Sequence, residues 1–276
     1  MRGDSGFPVR VRFTKQGKVR FISHRDVARA FERAFRIETL PLAFTEGFSP
    51  RPKVSFGLAL SVGHESVAEY LDVELTEPVE LDGLPAALSG ALPEGIDVTG
   101  VCRLRDRAPA LQEAVTAVQF RVEVTDGPAV TVPGPEFRPA LATTVTRALA
   151  ADSLAVTRTR KGRESTDDIR PAIRSITLEA ITPEGITPEG TTPEHGLFLD
   201  GDASDGAAVI ELTLATQPRG ARPREVLDAL AAVGGIDLHD RRVLRTHQWI
   251  ERGGALWEPL EADAFAPALE LEARAS

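Results

Sequence analysis

The sequence predicts an α+β fold built from two tandem ferredoxin-like domains, each with the order βαββαβ and an antiparallel sheet. Short segments in which apolar and polar residues alternate are typical of strands, and they are interspersed with segments of three- and four-residue apolar spacing, typical of helices. The order of these segments in residues 1–106 recurs in residues 112–250. Such an order favours antiparallel sheets with helices on one face. A length of 276 residues accommodates two cores of ordinary size.

The first half begins with alternating apolar and basic residues. Residues 9–14 are predicted to form a strand that turns at Gln16 and Gly17 into a second extended segment. Ser23 and Asp26 have the spacing of a capping box, which predicts that a helix starts there. The helix would bury one apolar stripe, made of Val27, Ala30, Phe31, Ala34 and Phe35. The elements that follow are predicted at 42–45, 54–60, 69–76 and 96–104 (extended) and 84–92 (helix).

The second half repeats this order beyond a boundary at residues 106–112. Strands are predicted at 118–124, 154–159, 209–215 and 236–246, and helices at 136–151 and 224–233. An additional extended segment at 169–178 matches the one at 54–60. Residues 181–195 read ITPEG-ITPEG-TTPEH, so residues 181–196 are predicted to be a disordered acidic insert. Residues 251–276 are predicted to be a C-terminal tail, whose Ala- and Glu-rich end frays or forms a loose helix.

The composition is that of a soluble globular protein, with 42% hydrophobic and 26% charged residues. We expect a cytoplasmic protein that does not cross a membrane, because the sequence has neither a long apolar run nor the apolar core of a signal peptide. The single cysteine, Cys102, excludes a disulfide framework and an iron–sulfur cluster held by this chain alone.

The sequence also predicts neither cofactor nor metal. Glycine-rich nucleotide-binding patterns and the nucleophile elbow are absent. Two pairs of potential metal ligands occur, His64 with Glu65 and His239 with Asp240. Neither pair has a third ligand at a spacing typical of a metal site.

The charge of the chain is unevenly distributed. The net charge is −9, yet residues 1–60 hold twelve Lys or Arg against five Asp or Glu, which gives +7 there and −16 in the rest. This asymmetry predicts a polyanion or an acidic partner for the first segment. A solvated basic helix face is the alternative interpretation.

The segment EGFSPRPK, residues 46–53, is a candidate binding loop. Pro50 and Pro52 restrict the backbone, so Arg51 and Lys53 project from a chain with little freedom left to lose on binding. Phe48 can either fill the core, which is the more common role of such a residue, or stack on a base.

Basic residues at turns and on the first helix are the candidate phosphate contacts. Arginine suits bidentate contact with phosphate and lysine supplies a mobile point charge. The chain has four lysines against 28 arginines, and three of the four lie in the basic segment. The predicted surface comprises Lys15, Lys18, Arg20, His24, Arg25, Arg29, Arg51 and Lys53, joined by Lys161 and Arg163 if the two domains face each other.

His24 is the candidate for catalysis. It lies in the first turn of the helix, where the macrodipole favours the neutral imidazole that can act as a general base. An RNase that acts through the 2′-hydroxyl could use it with a nearby Lys or Arg. A first-turn histidine more often caps or packs, and spacing fixes no second catalytic residue. The sequence therefore favours a protein that is not an enzyme, with the catalytic residues unknown.

Three motifs carry a resemblance to a known family: RFTKQGKVRFISHRD at residues 12–26, EGFSPRPK at 46–53 and EYLDVEL at 69–75. Together they resemble the radical-SAM-linked protein family, whose members are encoded beside, or fused to, a radical S-adenosylmethionine protein. Residues 159–171 are similar to the family's second region, whereas the ITPEG repeats depart from the pattern. The resemblance implies an accessory or substrate-presenting role near radical enzymes and RNA processing. A more distant similarity, to CRISPR repeat endonucleases, is one of fold alone.

Three functional hypotheses follow. The leading one is an accessory RNA-binding module, for tRNA or rRNA, that works with a separately encoded radical SAM enzyme. The second is a metal-independent RNA-processing endonuclease that uses His24 as its base. The third is a protein adaptor whose basic face docks the radical SAM enzyme.

Overall fold

The structure is a computed structural model that describes residues 6–105, 108–127, 134–160, 162–179 and 207–265. It is a mixed α+β protein with a large, mostly antiparallel sheet and several helices, which confirms the predicted class at that level. Among the described residues, no helix combines the length and apolar character needed to cross a membrane.

In chain order the strands are β1 (Phe7–Lys15), β2 (Val54–Phe56), β3 (Glu65–Leu75), β4 (Val98–Arg103), β5 (Ala117–Thr125), β6 (Ala155–Arg160), β7 (Arg163–Asp168), β8 (Ile173–Leu178), β9 (Ala208–Ala215), β10 (His239–Arg252) and β11 (Ala255–Trp257). The helices are α1 (His24–Ile37), α2 (Leu84–Ala91), α3 (Leu111–Ala114), α4 (Phe137–Ala150), α5 (Pro223–Gly234) and α6 (Pro259–Ala262), with 3₁₀ turns at Gly17–Phe21 and Arg170–Ala172.

The chain forms two compact units, and the first is assembled from both ends of the chain. It comprises Met1–Val118 together with Leu244–Ser276, and the second unit is Gln119–Val243. These bounds differ from the predicted domains at 1–106 and 112–250, because the segment after the second unit rejoins the first.

In the first unit β1 lies between β3 and β4, antiparallel to both. The β1–β3 ladder runs from Phe7 opposite Leu75 to Lys15 opposite Ser66. β2 pairs antiparallel with β3, and the start of β3 also pairs in parallel with Leu244 and Arg245 of β10. One apolar core joins β1 and β3 to α1 and α2, and a separate cluster surrounds Tyr70, Leu111 and Ile250.

Helix α1 forms as the sequence predicts. The amide of Asp26 donates to the hydroxyl of Ser23, and the Asp26 carboxylate accepts from the Ser23 amide, so the predicted capping box is confirmed. Four of the five stripe residues are buried, and Ala30 is partly buried against the same core. The local signals were sufficient because both capping and a 3.6-residue period act within one helix.

Two extended segments predicted in the first unit are wrong. After Gly17, whose φ is 65°, the chain forms the 3₁₀ turn rather than a strand. The Gly17 amide donates to Glu65 Oε1 at 2.7 Å, and Val19 is buried, so contacts with β3 and the core fix this turn. Residues 42–45 form isolated bridges instead of a strand, and one of them joins Phe44 to Pro52, which has no amide hydrogen to continue a ladder.

The second unit contains the neighbouring strands β5, β9 and β8, and helices α4 and α5 pack on each other. The predicted strand at 154–159 forms as β6, but it pairs with β7 in a separate two-stranded sheet. The next predicted extended segment, 169–178, is preceded by a strand that the sequence does not predict: the chain turns at Gly162, whose φ is 75°, and forms β7 before β8. The predicted insert at 181–196 lies outside the described residues.

Residues 251–265 pack on the first unit rather than forming a separate tail. β11 pairs with the end of β10, and α6 precedes the fully buried Asp263. The Asp263 carboxylate accepts hydrogen bonds from three guanidinium groups, those of Arg10 (2.9 Å), Arg105 (3.1 Å) and Arg252 (2.6 Å). Burial would raise the pKa of Asp263, but these three arginines outweigh it and hold the pKa below its usual value.

Candidate nucleic-acid interface

Four exposed arginines follow one side of α1. Arg25, Arg29, Arg33 and Arg36 are spaced by four, four and three residues, and we call them the arginine stripe. Side chains at these spacings are neighbours on a helix surface. The buried stripe of Val27, Phe31, Ala34 and Phe35 holds the opposite side of α1 against the core, so the arginines face away from it.

Among the described residues, Arg29 is the only member of the arginine stripe that forms an ion pair with a carboxylate within 4 Å. Arg29 lies 3.5 Å from Asp26 in an ion pair between two largely exposed side chains. Arg36 donates to the backbone carbonyl of Glu32. Like charges four residues apart destabilise a helix by roughly 0.2–0.5 kcal/mol per pair. A polyanion bound along the stripe would remove that repulsion.

The amino terminus of α1 is already occupied by its own cap. The Ser23 hydroxyl donates to Asp26 Oδ2 at 2.6 Å, and this hydrogen bond lowers the pKa of Asp26. Helix amino termini attract anions. Here Asp26 supplies the negative charge, so contacts to an external phosphate would come from side chains of the stripe rather than from the helix amides.

The 3₁₀ turn adds two cations next to α1. Lys18 is exposed. Arg20 is partly exposed and lies 3.5 Å from the Glu65 carboxylate. Its guanidinium group also covers the ring of Phe21 at 4.8 Å, and that ring is 62% exposed.

Lys15 does not lie on this surface. It is buried, and its ammonium group donates to the carbonyls of Arg20 and Ile22 at 3.2 Å each. Burial lowers the pKa of Lys15; the nearby Glu69 carboxylate opposes this shift, whereas the charge of Arg245 adds to it. Sequence placed Lys15 at an open turn, whereas the carbonyls of the 3₁₀ turn draw its side chain inward.

Residues 43–53 form a closed loop that we call the proline hairpin. The Lys53 amide donates to the Ala43 carbonyl (2.8 Å), and the Thr45 amide donates to the Arg51 carbonyl (2.9 Å). The Arg51 amide donates in turn to the Thr45 hydroxyl. The Arg51 side chain is exposed, whereas Lys53 pairs with Glu74 at 3.0 Å. Phe48, for which a core position was the more common expectation, is fully exposed at the tip.

The 3₁₀ turn and the proline hairpin lie near opposite ends of β3. The 3₁₀ turn is held at the start of β3 through Glu65, and the proline hairpin adjoins the end of β3, where Leu42 bridges Leu75. Ser66 and Leu75 are nine residue steps apart along this extended strand, a span of roughly 30 Å. Lys161 and the side chain of Arg163 lie outside the described residues.

His24 packs against an aromatic ring at the start of α1. Its ring is exposed and meets Phe56 edge-on at 4.9 Å. It also borders a cavity of about 20 Å³, shared with Lys15 and Glu69, that is large enough for about one water. The described residues contain no cluster of three potential metal ligands.

Sequence reasoning left Arg33, Arg36 and Phe21 out of the candidate site. The two arginines continue the helical spacing of Arg25 and Arg29, so the period of the stripe was a sufficient signal for them. No comparable signal marks Phe21, because exposure of an aromatic ring depends on which side of the 3₁₀ turn is buried.

Comparison with solved structures gives weak likenesses. A Cbf5-Nop10-Gar1 complex has a TM-score of 0.44 at 10% identity over 89% of this chain and 50% of that chain. An archaeal box H/ACA sRNP Nop10-Cbf5 complex gives 0.41 at 9% identity, over 89% and 49%. An H/ACA RNP bound to a substrate RNA containing 2′-deoxyuridine gives 0.41 at 9%, over 90% and 53%. This chain spans about half the length of the chains it matches, and likenesses this weak carry no argument about function.

The sequence comparisons give a family. No curated protein matches the sequence. Residues 9–202 match the family described as "Uncharacterized protein conserved in bacteria (DUF2344)". That match covers most of both units, including the arginine stripe and the proline hairpin, and the chain belongs to this family.

Proposed function

We propose that the protein is an accessory RNA-binding module whose arginine stripe contacts the phosphates of a tRNA or rRNA. The observation that carries the proposal is the stripe itself: four exposed arginines on one helix side, within a segment of charge +7. Phosphate neutralisation by such side chains supplies most sequence-independent affinity for nucleic acid. Lys18, Arg20 and Arg51 add exposed or partly exposed cations on the same unit.

The finer parts of the proposal rest on the motifs. The resemblance of residues 9–76 to radical-SAM-linked proteins supports a separately encoded radical SAM enzyme as the partner and RNA processing as the setting. The ferredoxin-like interpretation is supported in the first unit by β4, β1 and β3 lying side by side, with β2 beyond β3.

The test replaces charge on the stripe without changing its helix. Arg25→Gln, Arg29→Gln and Arg33→Gln, alone and combined, should weaken binding to structured RNA. A plot of the logarithm of the binding constant against the logarithm of the salt concentration has a negative slope, and each lost phosphate contact should reduce its magnitude by about 1. Binding is measured by fluorescence anisotropy between roughly 50 and 200 mM salt.

Arg147→Gln is the matched control, because Arg147 is an exposed arginine on α4 of the second unit. It should leave the slope unchanged. RNA affinity that does not depend on salt, or that falls equally in the control, would overturn the phosphate model. Co-purification with a radical SAM protein that the triple variant abolishes, without any RNA binding, would point to the protein adaptor instead.

His24 has a packing role in this proposal. Structured RNA incubated with the protein in the absence of metal should remain intact, for the wild type and for His24→Ala alike. Specific cleavage that His24→Ala abolishes would replace the binding module with the endonuclease hypothesis.

A further inference from the structure

We propose that the proline hairpin binds an unpaired nucleobase by stacking it on Phe48, so that the RNA is recognised at a single-stranded segment. This inference rests on the proposed RNA-binding function and names the class of RNA.

The first support is the exposure of Phe48. Its side chain is fully exposed at the tip of the hairpin, and Phe44, on the same hairpin, is 52% exposed. Folded domains bury most phenylalanine side chains. An aromatic ring presented to solvent on both faces is the geometry that a base requires for stacking.

The second support is the rigidity of the hairpin below the ring. Three hydrogen bonds close it between Ala43 and Lys53, and Pro50 and Pro52 fix their own φ angles. Gly47 has a φ of 123°, which favours glycine and turns the chain just before Phe48. Because the platform is ordered before binding, little conformational entropy is lost when a base stacks on it.

The third support is the chemistry around the ring. Thr45, Glu46 and Ser49, which lie close to Phe48 in the sequence, are exposed polar residues, so polar side chains flank the ring. A nucleobase needs only one exposed face of the Phe48 ring in order to stack on it. Arg51, three residues from Phe48, is an exposed cation without a carboxylate partner among the described residues, and it can contact the backbone of the same strand.

The test measures how tightly the wild type and three Phe48 variants bind single-stranded and duplex RNA. A single strand of about 12 nucleotides, carrying one 2-aminopurine, is used beside its duplex. Phe48→Ala and Phe48→Leu should weaken single-strand binding by roughly 5- to 100-fold, and Phe48→Trp should retain it. Quenching of the 2-aminopurine on binding should be lost with Ala and Leu. The affinity for the duplex should be the same for the wild type and for all three variants.

Val62→Ala is the matched control, because Val62 is an exposed apolar residue on another loop of the same unit. This substitution should change neither the affinity for the single strand nor the affinity for the duplex. Wild-type binding by Phe48→Leu would show that the position needs an apolar group rather than a π face, as a protein partner would, and overturns the inference. If the wild type binds the single strand and the duplex equally well and Phe48→Ala changes neither affinity, the inference is overturned but the proposed RNA-binding function is not. Failure of the wild type to bind either form overturns the proposed function as well.

Discussion

Asp263 shows how one buried carboxylate ties the ends of the first unit together. Its three arginine partners come from β1, from the segment after β4 and from β10. Arg10 is itself fully buried and also pairs with Asp72 at 2.7 Å. Removing one partner of a buried ion pair costs about 3–5 kcal/mol, because the remaining charge stays desolvated.

Asp263→Asn should therefore lower the free energy of unfolding by about 3 kcal/mol at neutral pH. The pKa of Asp263 lies below the value of about 3.9 expected in the unfolded chain. Its stabilising contribution is then complete above that value and is lost as the pH falls through the folded pKa. Denaturant titrations from neutral to acidic pH should show the difference between variant and wild type shrinking in acid.

Asp82→Asn, which changes an exposed carboxylate of the same unit, serves as the control and should have little effect. A difference between Asp263→Asn and the wild type that stays constant into acid would contradict the linkage.

At the scale of elements, α1 and the proline hairpin show what sequence can and cannot predict. The helix follows from a capping box and an apolar period, both local patterns. The sequence also predicts a restricted backbone in the proline hairpin, from Pro50 and Pro52. The exposure of Phe48 and the burial of Lys15 could not be predicted, since each depends on which surface the rest of the first unit covers. The 3₁₀ turn was missed for the same reason, because its contact with Glu65 joins residues far apart in sequence.

The cap gives a prediction for α1. Ser23→Ala removes the acceptor of the Asp26 amide and the donor to its carboxylate. We expect a loss of about 1 kcal/mol in the free energy of unfolding, measured by denaturant titration. Ser61→Ala, at an exposed serine of a loop, should cost far less. Equal effects of the two substitutions would show that the cap contributes little to α1.

At the scale of the whole molecule, the first unit is not a continuous stretch of chain. Tyr70 donates to Glu258 at 3.1 Å, Gln248 donates to the Ala68 carbonyl, and Arg245 donates to Glu69. Each of these bonds joins the amino-terminal strands to residues beyond 243. A sequence analysis based on repeated element order assigns contiguous domains, so it could not have found this return.

Residues 6–118 produced alone should therefore lack a cooperative unfolding transition. The same segment joined to residues 244–265 by a flexible linker should regain one, because Asp263 and Gln248 restore the partners of Arg10 and Ala68. Circular dichroism during denaturant titration distinguishes the two. Cooperative unfolding of residues 6–118 by themselves would show that the returning segment is dispensable.

The return of the chain also has a consequence for biosynthesis. Asp263 leaves the ribosome about 250 residues after Arg10, an interval of roughly 10–50 s at ordinary elongation rates. Throughout that interval β1 and β3 lack the charge and the strand that complete their sheet. The nascent protein should accordingly depend on holdase chaperones until Asp263 has emerged, whereas the second unit can fold as soon as its own last strand has left the ribosome.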